Sequence, residues 1–429
     1  MLAKLFSVNQ QSLDYKKEII GGLINFMAIA YIIAVNPLIL HANGAGFPLN
    51  AAITSTVIII IIMTMLAGFV IKLPFVLAPG MGINAIVAYT LVLHDKLPIQ
   101  TVLGVILFSS ILLFIFSVTK IRQVIILSIP YTLQVSLSAG IGLFLFLIGA
   151  KNINLIVANP NTIIGINHLS LDIIISLLGF LVAIVLFIKQ KSYALLLPIV
   201  LISIFNAIIH PDVLPKVFFQ APDFSLFFQV DYLAALKLSL LPTILLLFLV
   251  NFFDATSTSL GLLFQLKINS AQEKEFYLRR ALITDGGAGI LSSVVGTSPS
   301  VIFVESSAAI QNGATTGLAS VVTALLCIPF VFMAPLISAI PSIATAPILM
   351  LVGLLMFSHI RKVEFEKFEE MVASFLTIIM MPLCFSITAG AVFGVVSYTL
   401  LKILLGKKNE LSISLVIIAI LCCGWFFIE

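Results

Sequence analysis

Apolar runs of about 20 residues follow one another along this chain almost without pause, from residues 19–40 to residues 411–427. Each is long enough to cross a hydrocarbon core of roughly 30 Å as a helix. Lipid offers no hydrogen bonds, so a chain built this way must satisfy its backbone internally, and helices are the solution open to runs of this length. Charge decides between a membrane and a large soluble core. Only 9% of the 429 residues are charged and 61% are hydrophobic, with a mean hydropathy of +1.23. A soluble domain carries roughly 25% charged residues, so this chain lacks the polar surface to be one. Residues 1–15 are polar and lack the apolar stretch of a cleaved leader, which makes the first run an uncleaved span.

Fourteen spans are predicted, near 18–40, 51–71, 74–93, 100–119, 131–150, 169–188, 192–209, 235–265, 277–296, 297–312, 314–337, 343–360, 369–405 and 411–427. Lys and Arg fall mostly in loops that a cytoplasmic N-terminus would place inside, which predicts cytoplasmic N- and C-termini in a cell membrane. Lys402, Lys407 and Lys408 run against that pattern. The net charge of +4 reflects this topology and implies no nucleic-acid partner. Cys327, Cys384, Cys422 and Cys423 lie in apolar runs without CxxC spacing and read as small hydrophobes. The five histidines sit near the ends of runs without ligand spacing, so neither a metal site nor a cofactor is expected.

Two segments make poor continuous helices. One is Leu73-Pro-Phe-Val-Leu-Ala-Pro-Gly-Met-Gly-Ile-Asn84, and the other is Gly296-Thr-Ser-Pro-Ser-Val-Ile-Phe-Val-Glu305. Each reads as a short extended strand followed by a half-helix beginning near mid-membrane. Such breaks survive only where the backbone is covered by protein or lines a cavity. They fall in spans three and ten, seven apart, so the fourteen spans divide into two sevens of opposite orientation. The expected fold is therefore an all-α polytopic membrane protein, a 7+7 inverted repeat with strands in the two broken spans.

Three acids stand well inside apolar runs: Asp254, Asp285 and Glu305. A carboxylate at the bilayer centre costs about 2.5–3.5 kcal/mol on insertion scales, so it normally faces the bundle interior and serves a purpose there. Glu305 directly follows the second break. Asp254 precedes Thr256, Ser257, Thr258 and Ser259, hydroxyls that could instead bond carbonyls one turn back in their own helix. Asp285, close to Arg279 and Arg280, reads as structural. No Lys or Arg lies deep in a span to pair with Asp254 or Glu305, and a desolvated, unpaired acid favours its neutral form. That suits a proton-coupled carrier. Asn84, after the first break, is read equally as a ligand contact or a helix-to-helix hydrogen bond.

The residues that carry these features also resemble a known family. The stretch Lys17-Glu-Ile-Ile-Gly-Gly-Leu-Ile-Asn-Phe-Met-Ala-Ile-Ala-Tyr-Ile-Ile-Ala-Val-Asn-Pro37 is similar to the first span of the adenine/guanine/hypoxanthine permeases, the purine branch of the nucleobase–cation symporter-2 transporters. Pro74-Phe-Val-Leu-Ala-Pro-Gly-Met-Gly-Ile-Asn-Ala85 resembles their third span, Phe253-Asp254 their eighth, and Gly296-Thr-Ser with Val304-Glu-Ser306 their tenth. Thr345-Ala-Pro-Ile-Leu-Met-Leu-Val-Gly353 and Met381-Pro382 fit as well, so the resemblance covers nearly the whole chain.

The resemblance implies a core domain (residues 1–119 and 235–340) and a gate domain (residues 120–234 and 341–429). Antiparallel strands from spans three and ten would meet at the substrate. It implies elevator-like uptake of a purine nucleobase by proton symport, through a lipid bilayer and in a possible homodimer. The candidate substrate contacts are Glu305, Asp254, Asn84, Gly82, Ser306 and Thr258, with Asp254 and Glu305 also coupling the proton. An ionised carboxylate at Glu305 offers only acceptors, matching ring N–H groups, and Phe26, Tyr31, Phe75 and Phe252 are candidates to stack on the base. Several positions depart from the family pattern: Ala255 and Ser257 in span eight, and Pro299, Ser300 and Ala309 in span ten. They leave open which purine is carried. Two rivals are weighed. An anion transporter on the same repeat would want a cation between the half-helices, and an intramembrane aspartyl hydrolase would want a GxGD motif that is absent.

Overall fold

The computed structural model describes residues 6, 14–41, 45–119, 130–159, 163–266, 268, 270–363, 367–412, 415–416 and 419–420. The run at 411–427 falls largely outside them. In chain order the elements are α1 (Tyr15–His41), α2 (Leu49–Val70), β1 (Leu77–Pro79), α3 (Met81–Ala85), α4 (Ile99–Val118), α5 (Tyr131–Asn152), β2 (Ile156–Asn159), β3 (Ile163–Ile166), α6 (Leu171–Ile188) and α7 (Leu196–Ile209). There follow α8 (Leu241–Gln265), α9 (Ala271–Val295), β4 (Ser300–Ile302), α10 (Ser306–Gln311), α11 (Gly317–Cys327), α12 (Ser342–Phe357), α13 (Phe368–Leu383) and α14 (Ile387–Leu404). Among the described residues, eight helices are apolar and long enough to cross a bilayer: α1, α2, α4, α5, α6, α8, α12 and α14.

Local chemistry sets many of the boundaries. The side chains of Ser170, Ser270, Thr316 and Ser386 accept backbone N–H bonds at the starts of α6, α9, α11 and α14, each satisfying a donor that a helix start leaves orphaned. Glu18 on α1 does the same for α11 from a distance, accepting from the N–H groups of Thr315 (2.9 Å) and Thr316 (3.0 Å), where a negative charge also suits the helix dipole. Gly296 ends α9 at φ +89, a left-handed conformation that favours glycine, and a Cβ there would sit 2.5 Å from that of Leu226. Beyond α3 the helix widens into a π-helix over Ile86–His94, closed by Asp95 N–H bonding the Thr90 carbonyl five residues back.

Packing falls into two sets of neighbours. The helices α1, α2, α4, α8, α9 and α11 pack chiefly on one another, and so do α5, α6, α7, α12, α13 and α14. Small residues allow the closest approaches, as is usual where apolar packing alone holds helices together in lipid. A Cβ on Gly353 of α12 would come within 2.5 Å of the Gly142 carbonyl oxygen on α5, and one on Gly68 of α2 within 2.6 Å of the Gly317 carbonyl on α11.

The structure corrects the sequence in two places. Residues 369–405, expected as a single span, form two helices, α13 and α14, packed side by side. The turn between them places Phe385 at φ 52, a left-handed conformation rarely adopted by a bulky residue and invisible in the sequence. As a result Lys402 and Lys407 return to the face where α13 began. Lys402 is fully buried there, 3.4 Å from Glu369 and 3.5 Å from Glu370, Lys407 pairs with Glu369, and Lys367 pairs with Glu370 at 3.5 Å. This removes the misplaced charge noted above, because these lysines now share the side of Lys367. The second correction is a β-hairpin, β2 with β3, in the connection after α5. An all-α expectation passed over its β-branched Ile156-Val and Ile163-Ile flanks.

Candidate functional site

The two broken segments meet. Antiparallel β1 and β4 pair Leu77 with Ile302, Ala78 with Val301 and Pro79 with Ser300. The ladder continues at both ends, through Gly80 N–H to the Pro299 carbonyl (3.0 Å) and Phe303 N–H to the Val76 carbonyl (2.9 Å). A two-stranded ribbon in an apolar interior has two outer edges whose polar groups must still be satisfied. Side chains do this. On the β1 edge, Thr64 Oγ1 donates to the Leu77 carbonyl (2.9 Å) and accepts from the Leu77 N–H (3.1 Å). Ser306 Oγ accepts from Val76 N–H (3.0 Å), and Ser320 Oγ bonds the Leu73 and Phe75 carbonyls (3.0 and 2.8 Å). Pro79 lacks a donor and falls where its strand's N–H would point outward, so no N–H is left unpaired at that position. On the β4 edge, Ser292 Oγ accepts from Ser300 N–H (3.0 Å) and Asp285 Oδ1 from Ile302 N–H (2.8 Å).

Asp285 is therefore structural, as expected, but by a different contact. Arg279 and Arg280 instead donate to the Val118 and Val70 carbonyls at the ends of α4 and α2.

Beside the ribbon lies a cavity of about 410 Å³. One side is formed by the start of α3 (Gly80 to Ile83), the end of β4 with Val304 and Glu305, and Tyr31 from α1. Val250, Phe253, Asp254, Ser257 and Thr258 complete it, a single face of α8 at three- and four-residue spacing. Glu305 and Asp254 thus reach one cavity from helices far apart in sequence. Tyr31 hydroxyl donates to Glu305 Oε1 at 3.3 Å. Among the described residues neither acid enters an ion pair, and the buried Lys402 is occupied by Glu369, Glu370 and Glu410.

Four expected contacts, Glu305, Asp254, Gly82 and Thr258, line the cavity together. Asn84 and Ser306 do not. Asn84 is fully buried behind the wall, where its Nδ2 donates to the Asn36 carbonyl at 3.4 Å. Asn36 in turn bonds Thr56 (2.7 Å), Thr297 (3.1 Å) and Ser298 (2.8 Å), tying α1 and α2 to the approach to β4. Ser306 serves the ladder, as described. These two residues hold the wall rather than face its contents. Thr256 and Ser257 bond the Phe252 and Phe253 carbonyls one turn back, both at 2.7 Å. Of the candidate aromatics only Tyr31 reaches the cavity, as a hydrogen-bond donor, whereas Phe75 and Phe252 are buried in packing and Phe26 lies against Phe330. Of the positions that depart from the family pattern, only Ser257 lines the cavity.

The opposite wall was missed from sequence. It consists of Tyr131, Gln134, Ser138 and Ile141 on α5, with Leu355, Met356 and His359 at the end of α12. Ser138 Oγ and His359 Nδ1 are 2.8 Å apart, joining the two elements. The signal existed: residues 131, 134, 138 and 141 recur at helical spacing as a partly polar stripe on an apolar span.

Residues 16–393 match the model of a family described as the Permease family, that of xanthine/uracil permeases. Adenine permease AdeP of Escherichia coli (strain K12) is 33% identical over 424 residues, covering 98% of this chain and 95% of that one. Guanine/hypoxanthine permease PbuO of Bacillus subtilis (strain 168) is 33% identical over 443 residues, covering 99% of each. Among solved structures, the transmembrane domain of the cyanobacterial bicarbonate transporter BicA superposes with a TM-score of 0.66 at 16% identity, over 88% of this chain and 97% of that one. SLC26A9 gives 0.65 at 11% identity, over 94% and 68%. At those identities the two structures share a fold with this chain and nothing more is drawn from them. The matched family, the near full-length relatives and the multiple apolar helices lead to one statement: the chain belongs to the xanthine/uracil permease family and is a multi-pass membrane transporter, not an enzyme.

Proposed function

We propose that the chain carries a purine nucleobase across the membrane by proton symport. The observation that carries this reading is a cavity holding two carboxylates, Asp254 and Glu305, with no cation paired to either among the described residues. An ionised carboxylate is an acceptor only, which complements the ring N–H groups of a purine. Glu305 receives the base, with the Tyr31 hydroxyl steadying its carboxylate. The first N–H groups of α3, which have no acceptor within their own helix, face the acceptor atoms of the base. Asp254 carries the proton, because it lines the same cavity as Glu305 and no cation is paired with it among the described residues. Relatives named as adenine and guanine/hypoxanthine permeases support the substrate class.

The packing of the helices in two sets supports a movement of one set against the other. We assign residues 1–119 and 235–340 to a core and residues 120–234 and 341–429 to a gate. The core slides against the gate in an elevator-like step, with N- and C-termini in the cytoplasm. Two strands that pair antiparallel, each leading into a half-helix, support an inverted repeat; with residues 369–405 counted as two spans, the second seven closes at α14 and the run at 411–427 stands outside it. An anion carrier shares the fold of the solved neighbours, but two acids in the cavity would repel an anion.

The test is uptake of radiolabelled adenine, hypoxanthine, guanine and uracil, alongside bicarbonate, in cells lacking their own nucleobase permeases. Purine uptake that collapses on adding a protonophore is the expected result. No purine uptake from protein shown to reach the membrane would sink the proposal, and bicarbonate uptake in its place would support the anion reading.

A further inference from the structure

The two acids cannot by themselves tell one purine from another. As acceptors they read ring N–H groups, which every purine base possesses. Purines differ chiefly at carbon 6, where an amino group donates and an oxo group accepts. Distinguishing them requires a group that fixes one donor or one acceptor at that edge. The wall opposite the acids supplies such groups.

Gln134 lies on the same face of α5 as Tyr131 and Ser138, three residues after one and four before the other, and all three line the cavity. Its amide carries both a donor and an acceptor. His359 lines the cavity from the turn after α12, and its Nδ1 is held at 2.8 Å by Ser138 Oγ. The direction of that bond decides which ring nitrogen carries the proton, and so whether the other donates or accepts. Among the described residues no lysine or arginine lines this cavity, so discrimination falls to these hydrogen-bonding side chains.

We propose that Gln134 and His359 form a second recognition edge, opposite Asp254 and Glu305, that reads the carbon-6 substituent and so selects among purine bases. Ser138 is a positioning residue: it sets the His359 ring through their hydrogen bond. This rests on the purine reading given above. The edge lies on α5 and α12, which pack on each other, whereas the acids lie on α8 and beside β4. Binding strength and base selection are thereby assigned to different helices.

The experiment measures uptake efficiency for adenine, hypoxanthine and guanine, normalised to protein in the membrane, for the wild type and four variants. Gln134→Leu and His359→Ala are expected to change the ratio between preferred and disfavoured base by about tenfold, because a site built to hydrogen-bond one substituent rejects the other strongly. Ser138→Ala should shift the ratio in the same direction by less. Glu305→Asp should lower uptake of all three bases and leave the ratio alone. Ratios within twofold of wild type in both Gln134→Leu and His359→Ala, with uptake retained, overturn the inference. So does a ratio that follows Glu305→Asp instead. Absence of purine uptake by the wild type overturns the purine reading itself, a distinct outcome. If Gln134→Leu fails to reach the membrane, His359→Ala and Ser138→Ala decide the matter.

Discussion

The strands β1 and β4 hydrogen-bond to one another, yet their outer edges are closed by different chemistry. The β1 edge is closed by hydroxyls, Thr64, Ser306 and Ser320, whereas the β4 edge relies on Ser292 and a carboxylate, Asp285. A similar asymmetry holds at the half-helices that follow. The first begins at Gly80 and Met81 and brings backbone to the cavity, while the second begins beside Glu305 and brings charge. The backbone break recurs on both sides of the ribbon, but ionisable chemistry is confined to one. What repeats is a way of ending a helix in mid-membrane. What does not repeat is the chemistry that faces the cavity.

Four substitutions sharpen or break that contrast. The largest effect is expected from Glu305→Gln, which replaces a carboxylate that only accepts with a neutral amide that carries one acceptor and one donor group. Gradient-driven purine uptake should fall by about a hundredfold, with protein level unchanged, as measured in whole cells against membrane abundance. Uptake near wild type would mean the charged side of the ribbon is not the binding side. Next is Asp285→Ala, which strands the Ile302 N–H in an apolar interior and should cost about 2–3 kcal/mol. Thermal unfolding of detergent-solubilised protein reads this loss, and Asp285→Asn, which keeps an acceptor, should recover most of it. If Asn is as damaging as Ala, the charge rather than the hydrogen bond holds β4.

Thr64→Val should cost a similar amount, about 2 kcal/mol by the same unfolding assay, since both of its neutral bonds to Leu77 are lost together. No measurable effect would mean that other groups close the β1 edge. The smallest change is expected from Gly82→Ala. A Cβ there would lie 3.1 Å from Met356 Cε and 3.2 Å from Ile141 Cγ2. The flexible methionine end can yield, so stability should drop by less than about 1 kcal/mol, with a few-fold loss of uptake because the cavity narrows between its two walls.

Much of the ribbon was legible in advance. Proline and glycine in residues 73–84 and 296–305 announce a break in otherwise helical runs, and Asp254 and Glu305 stand out because acids are costly in lipid. The far wall was only faintly legible: the spacing of residues 131, 134, 138 and 141 was there to read, but Gln134, Ser138 and His359 lie close to the ends of runs, where polar residues are ordinary. Asn84 misled in the other direction. Its position in the break matched a contact, yet the π-helical continuation of α3 and the Asn36 network keep it behind the wall. The turn at Phe385 left only faint traces, Pro382 at the end of α13 and the Ser386 cap of α14, and nothing in residue type announces its left-handed backbone. An extended apolar run therefore gives the amount of membrane-buried chain more reliably than the number of crossings.

The pairing of residues 77–79 with 300–302 also sets a timetable for biosynthesis. At about 5–20 residues per second, roughly 10–45 seconds pass between the emergence of β1 from the ribosome and that of its partner. For that interval the inner edge of β1 has no strand to bond in the bilayer, and Ser306 and Ser320, which close part of its outer edge, have not yet been made. The N-terminal half is thus an insertion intermediate that cannot mature alone. A chain stopped after α7 should be cleared by membrane quality control unless the C-terminal half is supplied in the same cell.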